Sequence, residues 1–350
     1  GADVVLPDWQ PLFLSALHPA YILRGGDGEG PDAPGGEGGR SVDLQFFFLV
    51  YDLGKAWRLA NGLARPWVDN CDLFLVHQGK LHRATTDLVT GKPIVGDEAT
   101  PGEFIEAMQL VEREAHARGA FSCDVETDAK DSLDANLTAI AFATVDGGLS
   151  ATWAAFQLVP EALDVARALL ASGLDKQFWN RIYDCIVLPR HSLPVAHPIS
   201  DGMLLHHAAF PGLPHRLDAV GQQFLCVTAW KSEYRKSTRN EPELLLYNYK
   251  DAHGTILIPE PLRDVVERHK TTRVYEADRQ IAGIAQHMRE FGYWVDRKEQ
   301  ARQSTIQHAR LDYMRASLER DFAAIEETWR DRLARNLAVY QRKKDPDEFM

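Results

Sequence analysis

The stretch that most narrows what this chain can become is Phe121-Ser122-Cys123-Asp124-Val125-Glu126-Thr127. It is apolar enough for a buried β-strand, yet it carries acids at alternate positions. Strand side chains alternate between faces, so Asp124 and Glu126 point the same way with their carboxylates close together. Like charges at that spacing repel, and burying them unpaired is costly. A cation should therefore sit between them, and two carboxylates favour a hard divalent metal, which prefers oxygen. A strand end that dips into solvent carries the same pattern, so the triplet alone leaves both readings open.

Two downstream pairs favour the metal. Asn180 and Asp184 lie four residues apart, and so do Tyr247 and Asp251. On helices that spacing puts each pair on one face. Three local pairs of neighbouring polar groups form a constellation that chance rarely supplies.

The rest of the chain bounds the setting. Its 350 residues can bury a sizeable core and hold two or three domains. A net charge of −11 argues against a generally basic nucleic-acid coat but leaves room for a local basic channel. The acidic excess lies in the first 270 residues, in keeping with a site built from carboxylates. Cys71, Cys123, Cys185 and Cys226 are scattered without a C-x-x-C spacing, which predicts a reducing compartment, no structural zinc and cysteines that pack as small hydrophobes. With no long apolar run and no leader pattern, the expected setting is cytoplasmic, without a membrane. The first residue is Gly1 and the last residues follow a helical pattern, so both ends read as cuts through something larger.

Along the chain, Gly25 to Arg40 has the composition of a flexible linker. The apolar run Leu44–Val50 suits a buried strand, Val50–Trp57 is helix-like, and Cys71–Val95 predicts a small hairpin layer. Thr100 followed by Glu103 is a capping-box signature for a helix running to Arg118. After the acidic strand, Leu137–Thr144 and Ser150–Leu158 predict an antiparallel meander. Helices are expected over Glu161–Ser172, Arg181–His191, Asp201–Phe210 and Arg216–Phe224 and onward from Glu241, with a short strand at Gln177–Trp179. Strands first and helices over them indicate an α/β layer fold with a mixed sheet. His206-His207 lacks a metal-binding frame and reads as helix packing, and His215-Arg216-Leu217-Asp218 as a helix start.

Asp-x-Glu on a strand, Asn-x-x-x-Asp after a strand and Tyr-x-x-x-Asp on a late helix resemble, in order, the three motifs of the tyrosine-variant DEDD 3′→5′ exonucleases. The surrounding residues are similar to the proofreading domain of phage-type family A DNA polymerases. They include Asp201-Gly202-Met203, with Gly202 where that family usually has threonine, Leu213-Pro214-His215-Arg216-Leu217-Asp218, and Trp230-Lys231. Tyr275–Asp296 resembles the opening helix of a polymerase thumb, and a coiled-coil-like partner helix is the alternative there. Leu17-His18-Pro19-Ala20-Tyr21-Ile22-Leu23-Arg24 resembles the histidine-proline loop of uracil-DNA glycosylases, against the simpler reading of a turn before a strand. Without the polymerase palm and finger motifs, polymerisation by this chain is not expected.

The resemblance implies a ribonuclease H-like mixed sheet flanked by helices, with a small N-terminal α/β region and a C-terminal helical extension. The expected divisions are 1–24 and 41–118 as an accessory region, 25–40 as linker, 119–268 as exonuclease domain and 269–350 as a helical thumb-like segment. It implies two divalent ions, Mg2+ or Mn2+. Asp124, Glu126 and Asp251 would hold the nucleophile-side ion, Asp124 would bridge, and Asp184 would serve the second. Tyr247 would orient the attacking water, since a phenol is a poor general base. Thr127, Asn180 and Trp230 are expected nucleic-acid contacts, and Lys231, Arg235 and Lys236 a phosphate clamp. The expected substrate is single-stranded DNA or a frayed primer 3′ end, with a polymerase domain on the parent chain or a separate replication protein as partner. An exoribonuclease like RNase D and a catalytically silent DNA-binding scaffold are the rival readings.

Overall fold

The structure, a computed structural model, describes residues 41–61, 69–87, 92–225, 227, 230, 241–292 and 294–342, without the side-chain surroundings of 41–49, 51, 324 and 336–342. The glycosylase-like segment, the Gly25–Arg40 linker, Cys226 and the basic loop of Lys231, Arg235 and Lys236 lie outside the described residues. The chain divides into two compact units, residues 1–290 and 291–350.

The first unit is organised on one eight-stranded mixed sheet of order β3-β2-β1-β6-β5-β4-β7-β8. Its strands are β1 (Cys71–His77), β2 (Lys80–Thr86), β3 (Pro93–Glu98), β4 (Ala120–Thr127), β5 (Leu137–Ala143), β6 (Gly148–Thr152), β7 (Asp175–Phe178) and β8 (Ile199–Asp201). Strands β4, β5 and β6 form an antiparallel meander, and β7 and β8 add parallel to β4. Three antiparallel strands continued by two parallel ones make the sheet ribonuclease H-like. The expected hairpin layer is part of the same sheet, because β1 pairs in parallel with β6.

Helix α1 (Ser41–Ala60) occupies the run expected to be a strand. A short apolar run has no period that separates a strand from a helix, and here it continues into the helix-like residues after Val50. The end of the expected Ser150–Leu158 strand also differs. The Thr152 hydroxyl accepts the Ala155 N–H at 3.2 Å and starts helix α3 (Trp153–Leu158). Helix α2 (Pro101–Arg118) begins with the expected Thr100–Glu103 capping box and ends at Gly119 in the left-handed conformation. Among the described residues of this unit the remaining helices are α4 (Pro160–Ala171), α5 (Arg181–Arg190), α6 (Gly202–Ala209), α7 (Leu217–Phe224), α8 (Glu241–Leu257), α9 (Pro259–His269) and α10 (Thr272–Phe291).

The faces of the sheet follow the alternation of its strands. Ile140 and Phe142 of β5 join Phe104, Phe121 and Phe156 in one core cluster. Ala139, Ala141 and Ala143, on the other face, meet Leu245, Tyr249, Ala252 and Ile256 of α8. A row of alanines lets a helix lie close on the strands. Accordingly α8 is buried nearly all round, and the Ser122 hydroxyl of β4 donates to the Ala252 carbonyl at 2.7 Å. The face of β4 that carries Ser122, Asp124 and Glu126 is thus the face on which α8 lies.

Among its described residues the second unit carries the long helix α11 (Arg297–Arg342), whose Leu311, Met314, Leu318, Phe322, Ile325, Trp329 and Leu333 are exposed. Gly292, at φ 74°, ends the helix before it, as the sequence suggests. Among the described residues no helix is long and apolar enough to cross a membrane.

Candidate active site

Because α8 crosses the acid-bearing face of β4, residues more than a hundred positions apart meet there. Carboxylate oxygens of Asp124, Glu126 and Asp251 all lie within 4.8 Å of one another. Asp251 is buried, whereas Asp124 and Glu126 are half-buried. Oxygen donors this close, two of them on adjacent alternate positions of one strand, fit a hard divalent cation and suit soft metals poorly.

Asp184 stands beside this trio. Its Oδ1 accepts the backbone N–H of Val125 at 3.2 Å, between the two strand acids. Pairing of β4 with β7 involves only Ala120–Ser122, so on that edge Val125 has no strand partner and α5 brings in its aspartate instead. Burial pushes the Asp184 carboxyl well above the usual carboxylate range, and the charges of Asp201 and Glu126 push it the same way. A cation at the trio would oppose that shift by restoring favour to the charged form.

Tyr247 is buried one helical turn from Asp251 on α8. Burial first, then the charges of Asp251, Glu126 and Asp124, hold its phenol above the ordinary tyrosine value. It therefore stays protonated at neutral pH and can donate or accept a hydrogen bond without serving as a base.

Supporting contacts that the sequence did not announce hold the acids. Asn248 is fully buried and donates from Nδ2 to Asp124 Oδ2 at 2.8 Å, while its own Oδ1 accepts the Ser150 hydroxyl at 2.8 Å. Its position beside Tyr247, inside the Tyr-x-x-x-Asp spacing, was the available signal. Trp230 departs from the expectation of a nucleic-acid contact. It is 1% exposed, so no base can stack on it, and its indole N–H donates to Asp251 Oδ1 at 2.7 Å. Glycines make room for its ring: a Cβ at Gly221 would lie 2.6 Å from it, and one at Gly254 3.5 Å.

Thr127 is half-buried; its hydroxyl contacts the Tyr183 hydroxyl and donates to the Ala129 carbonyl at 2.9 Å. It links the end of β4 to the residue before Asp184. Asn180 is exposed in the left-handed conformation (φ 66°, ψ 56°) at the start of α5, and its side chain makes no cap bond. Asp201 holds that corner by accepting the backbone N–H groups of Asn180, Arg181, Met203 and Leu204. Gly202 has a local reason to replace a larger residue, since a Cβ there would meet the Trp179 ring at 2.6 Å.

His206 packs as expected: it is fully buried, 2.7 Å from His215 between Nδ1 atoms, and burial pushes it down to about 4. Asp218 begins α7 and pairs with Arg216 at 2.9 Å. Cys123 and Cys185 are buried free thiols pushed up by burial, far from the reactive thiolate range.

No protein-family model matches the chain, and no curated protein does. Among solved structures, Brucella melitensis NrnC with bound Mg2+ is similar at 17% identity over 51% of this chain and 89% of that one, with a TM-score of 0.43. Escherichia coli RNase D, an exoribonuclease involved in structured RNA processing, is similar at 17% identity over 54% and 49%, with a TM-score of 0.40. The POL domain of Pol1 from M. smegmatis, in complex with DNA primer-template and dNTP, is similar at 19% identity over 49% and 28%, with a TM-score of 0.39. Likeness of this degree concerns the course of the chain, and the chemistry is left to the side chains.

Proposed function

We propose that this chain is a metal-dependent 3′→5′ exonuclease that removes nucleotides from single-stranded DNA ends. The observation that carries the reading is the meeting of Asp124, Glu126 and Asp251 within 4.8 Å, with Asp184 against Val125 at their side. Three neighbouring carboxylates with a fourth nearby form a strongly anionic pocket, which repels a phosphodiester unless cations intervene.

The donor set fits Mg2+ or Mn2+: Asp124, Glu126 and Asp251 would hold one ion, and Asp124 and Asp184 would serve a second. Bound there, such ions supply an activated water and stabilise charge on the leaving 3′ oxygen. The protein's own contribution is placement. Asn248 fixes the Asp124 carboxylate and Trp230 fixes that of Asp251. The neutral Tyr247 hydroxyl orients water by hydrogen bonding. Asn180, exposed where α5 begins, faces a terminal nucleotide or neighbouring phosphate, and Lys231, Arg235 and Lys236 clamp the strand. On this reading residues 119–268 form the catalytic domain and 269–350 a thumb-like segment, and the substrate end reaches the site from a polymerase on the parent chain or from a separate replication protein.

The test is the shortening of matched DNA and RNA strands labelled at the 5′ end, with Mg2+ or with EDTA. The reading expects stepwise shortening of DNA from the 3′ end, abolished by EDTA and by Asp124→Ala. Preference for RNA would move the assignment to an exoribonuclease. Equal signals with and without metal, and in wild type and variant, would refute it.

A further inference from the structure

A groove of about 880 Å3 opens between β8 and α10, lined by Arg181, His197, Pro198, Arg279, Ile284 and His287. It shares no side chain with the acid cluster. Arg181 is its most unusual component. This first residue of α5 is only 3% exposed, yet among the described residues no carboxylate pairs with its guanidinium. Its Nη2 donates to the Arg279 carbonyl at 3.1 Å, while its buried Nε–H has no acceptor among the described residues. A guanidinium is always charged, and a buried one ordinarily has an anion on it.

The surroundings suit an anion with an apolar attachment. Arg279 brings a second guanidinium, held by Glu276 at 2.8 Å and reaching the Ile199 carbonyl at 3.4 Å. Asp201, behind Arg181, accepts its backbone N–H at 3.0 Å. Pro198 is exposed, and Ile284 is 62% exposed, an apolar wall beside the two arginines. Gly283 keeps the space open, since a Cβ there would come within 3.0 Å of Arg181 Nη2.

We propose that this groove is a phosphate-binding subsite, with Arg181 and Arg279 as donors to the anion and Pro198 and Ile284 as the wall for its nucleoside. The proposal rests on the nuclease reading only for the source of that phosphate, which is either the monoester of a released mononucleotide or a diester of the strand. Arginine forks suit both, because their paired N–H groups match phosphate oxygens.

The experiment titrates inorganic phosphate, a 5′-mononucleotide and an oligonucleotide without terminal phosphates into the full chain in EDTA, read by calorimetry and by the rise in melting temperature. EDTA makes the result independent of nuclease activity, so failure of the nuclease reading leaves this titration unaffected. Arg279→Gln is expected to weaken binding about tenfold, the usual scale for losing one charge-assisted contact. Gly283→Leu, which fills the groove, is expected to abolish it. Arg279→Gln should melt like wild type without phosphate. A mononucleotide that binds best marks a product site, and an oligonucleotide that binds best marks a path for the strand. Binding that Arg279→Gln leaves unchanged, or no binding of any of the three to wild type, overturns the proposal.

Discussion

Replacing Glu126 by glutamine should stabilise the metal-free protein. The substitution keeps the shape of the side chain and removes one of three charges whose oxygens lie within 4.8 Å. At that distance a pair of like charges costs about 0.9 kcal/mol in water and about 3.5 kcal/mol at an effective dielectric of 20. Glu126 faces two such partners, so the repulsion relieved lies between about 2 and 7 kcal/mol. Because Glu126 and Asp124 are half-exposed, solvent screening favours the lower end, about 2 kcal/mol. Urea unfolding in EDTA should therefore give Glu126→Gln a higher midpoint than wild type, and melting should rise by about 4 °C. Saturating Mn2+ should reverse the order, since an ion at a hundred times its dissociation constant adds about 2.7 kcal/mol to the wild type and less to the variant. A variant that is less stable than wild type in EDTA, or that gains as much from Mn2+, would refute a charge cluster built for cations. The same result would favour a silent scaffold over a nuclease.

Three further outcomes follow from the geometry. Tyr247→Phe should lower the rate while leaving the shape of the pH–rate profile unchanged, because burial and the neighbouring acids keep the phenol neutral through the working range; loss of an alkaline limb would show that it acts as a base. Trp230→Phe removes the donor to Asp251 and leaves a small cavity in a fully buried site, so activity should fall about tenfold and metal affinity with it, and stability in urea unfolding should drop by about 1–3 kcal/mol. Gly221→Ala places a methyl 2.6 Å from the Trp230 ring and should destabilise by about 1–3 kcal/mol in urea unfolding, with activity reduced through displacement of the same indole.

Much of the central architecture could be read from the chain because period and spacing are local signals. Alternation in Phe121–Thr127 put Asp124 and Glu126 on one face, and the four-residue spacing put Tyr247 and Asp251 on one side of α8. The Thr100–Glu103 box marked a helix start that the structure shows in full. What escaped were features decided by tertiary packing. The Leu44–Val50 run could not reveal its helix, since an apolar run without a period suits either state. The tail of Ser150–Leu158 turned helical because the Thr152 hydroxyl caps it, a competition that the apolar pattern hides. The resemblance makes Trp230 a nucleic-acid contact, whereas Gly221 and Gly254 let its ring bury against α8. Asn248 needed the third dimension, since only the crossing of α8 over β4 and β6 brings it between Asp124 and Ser150.

A metal-dependent site here requires that one ion be shared by acids from β4 and α8. A crystal soaked in Mn2+ and measured at the manganese absorption edge tests this directly. The expected result is an anomalous peak bonded to Asp124, Glu126 and Asp251 at about 2.1 Å, the distance usual for small hard cations on carboxylates. Peaks elsewhere on the surface with none among these three residues would contradict it.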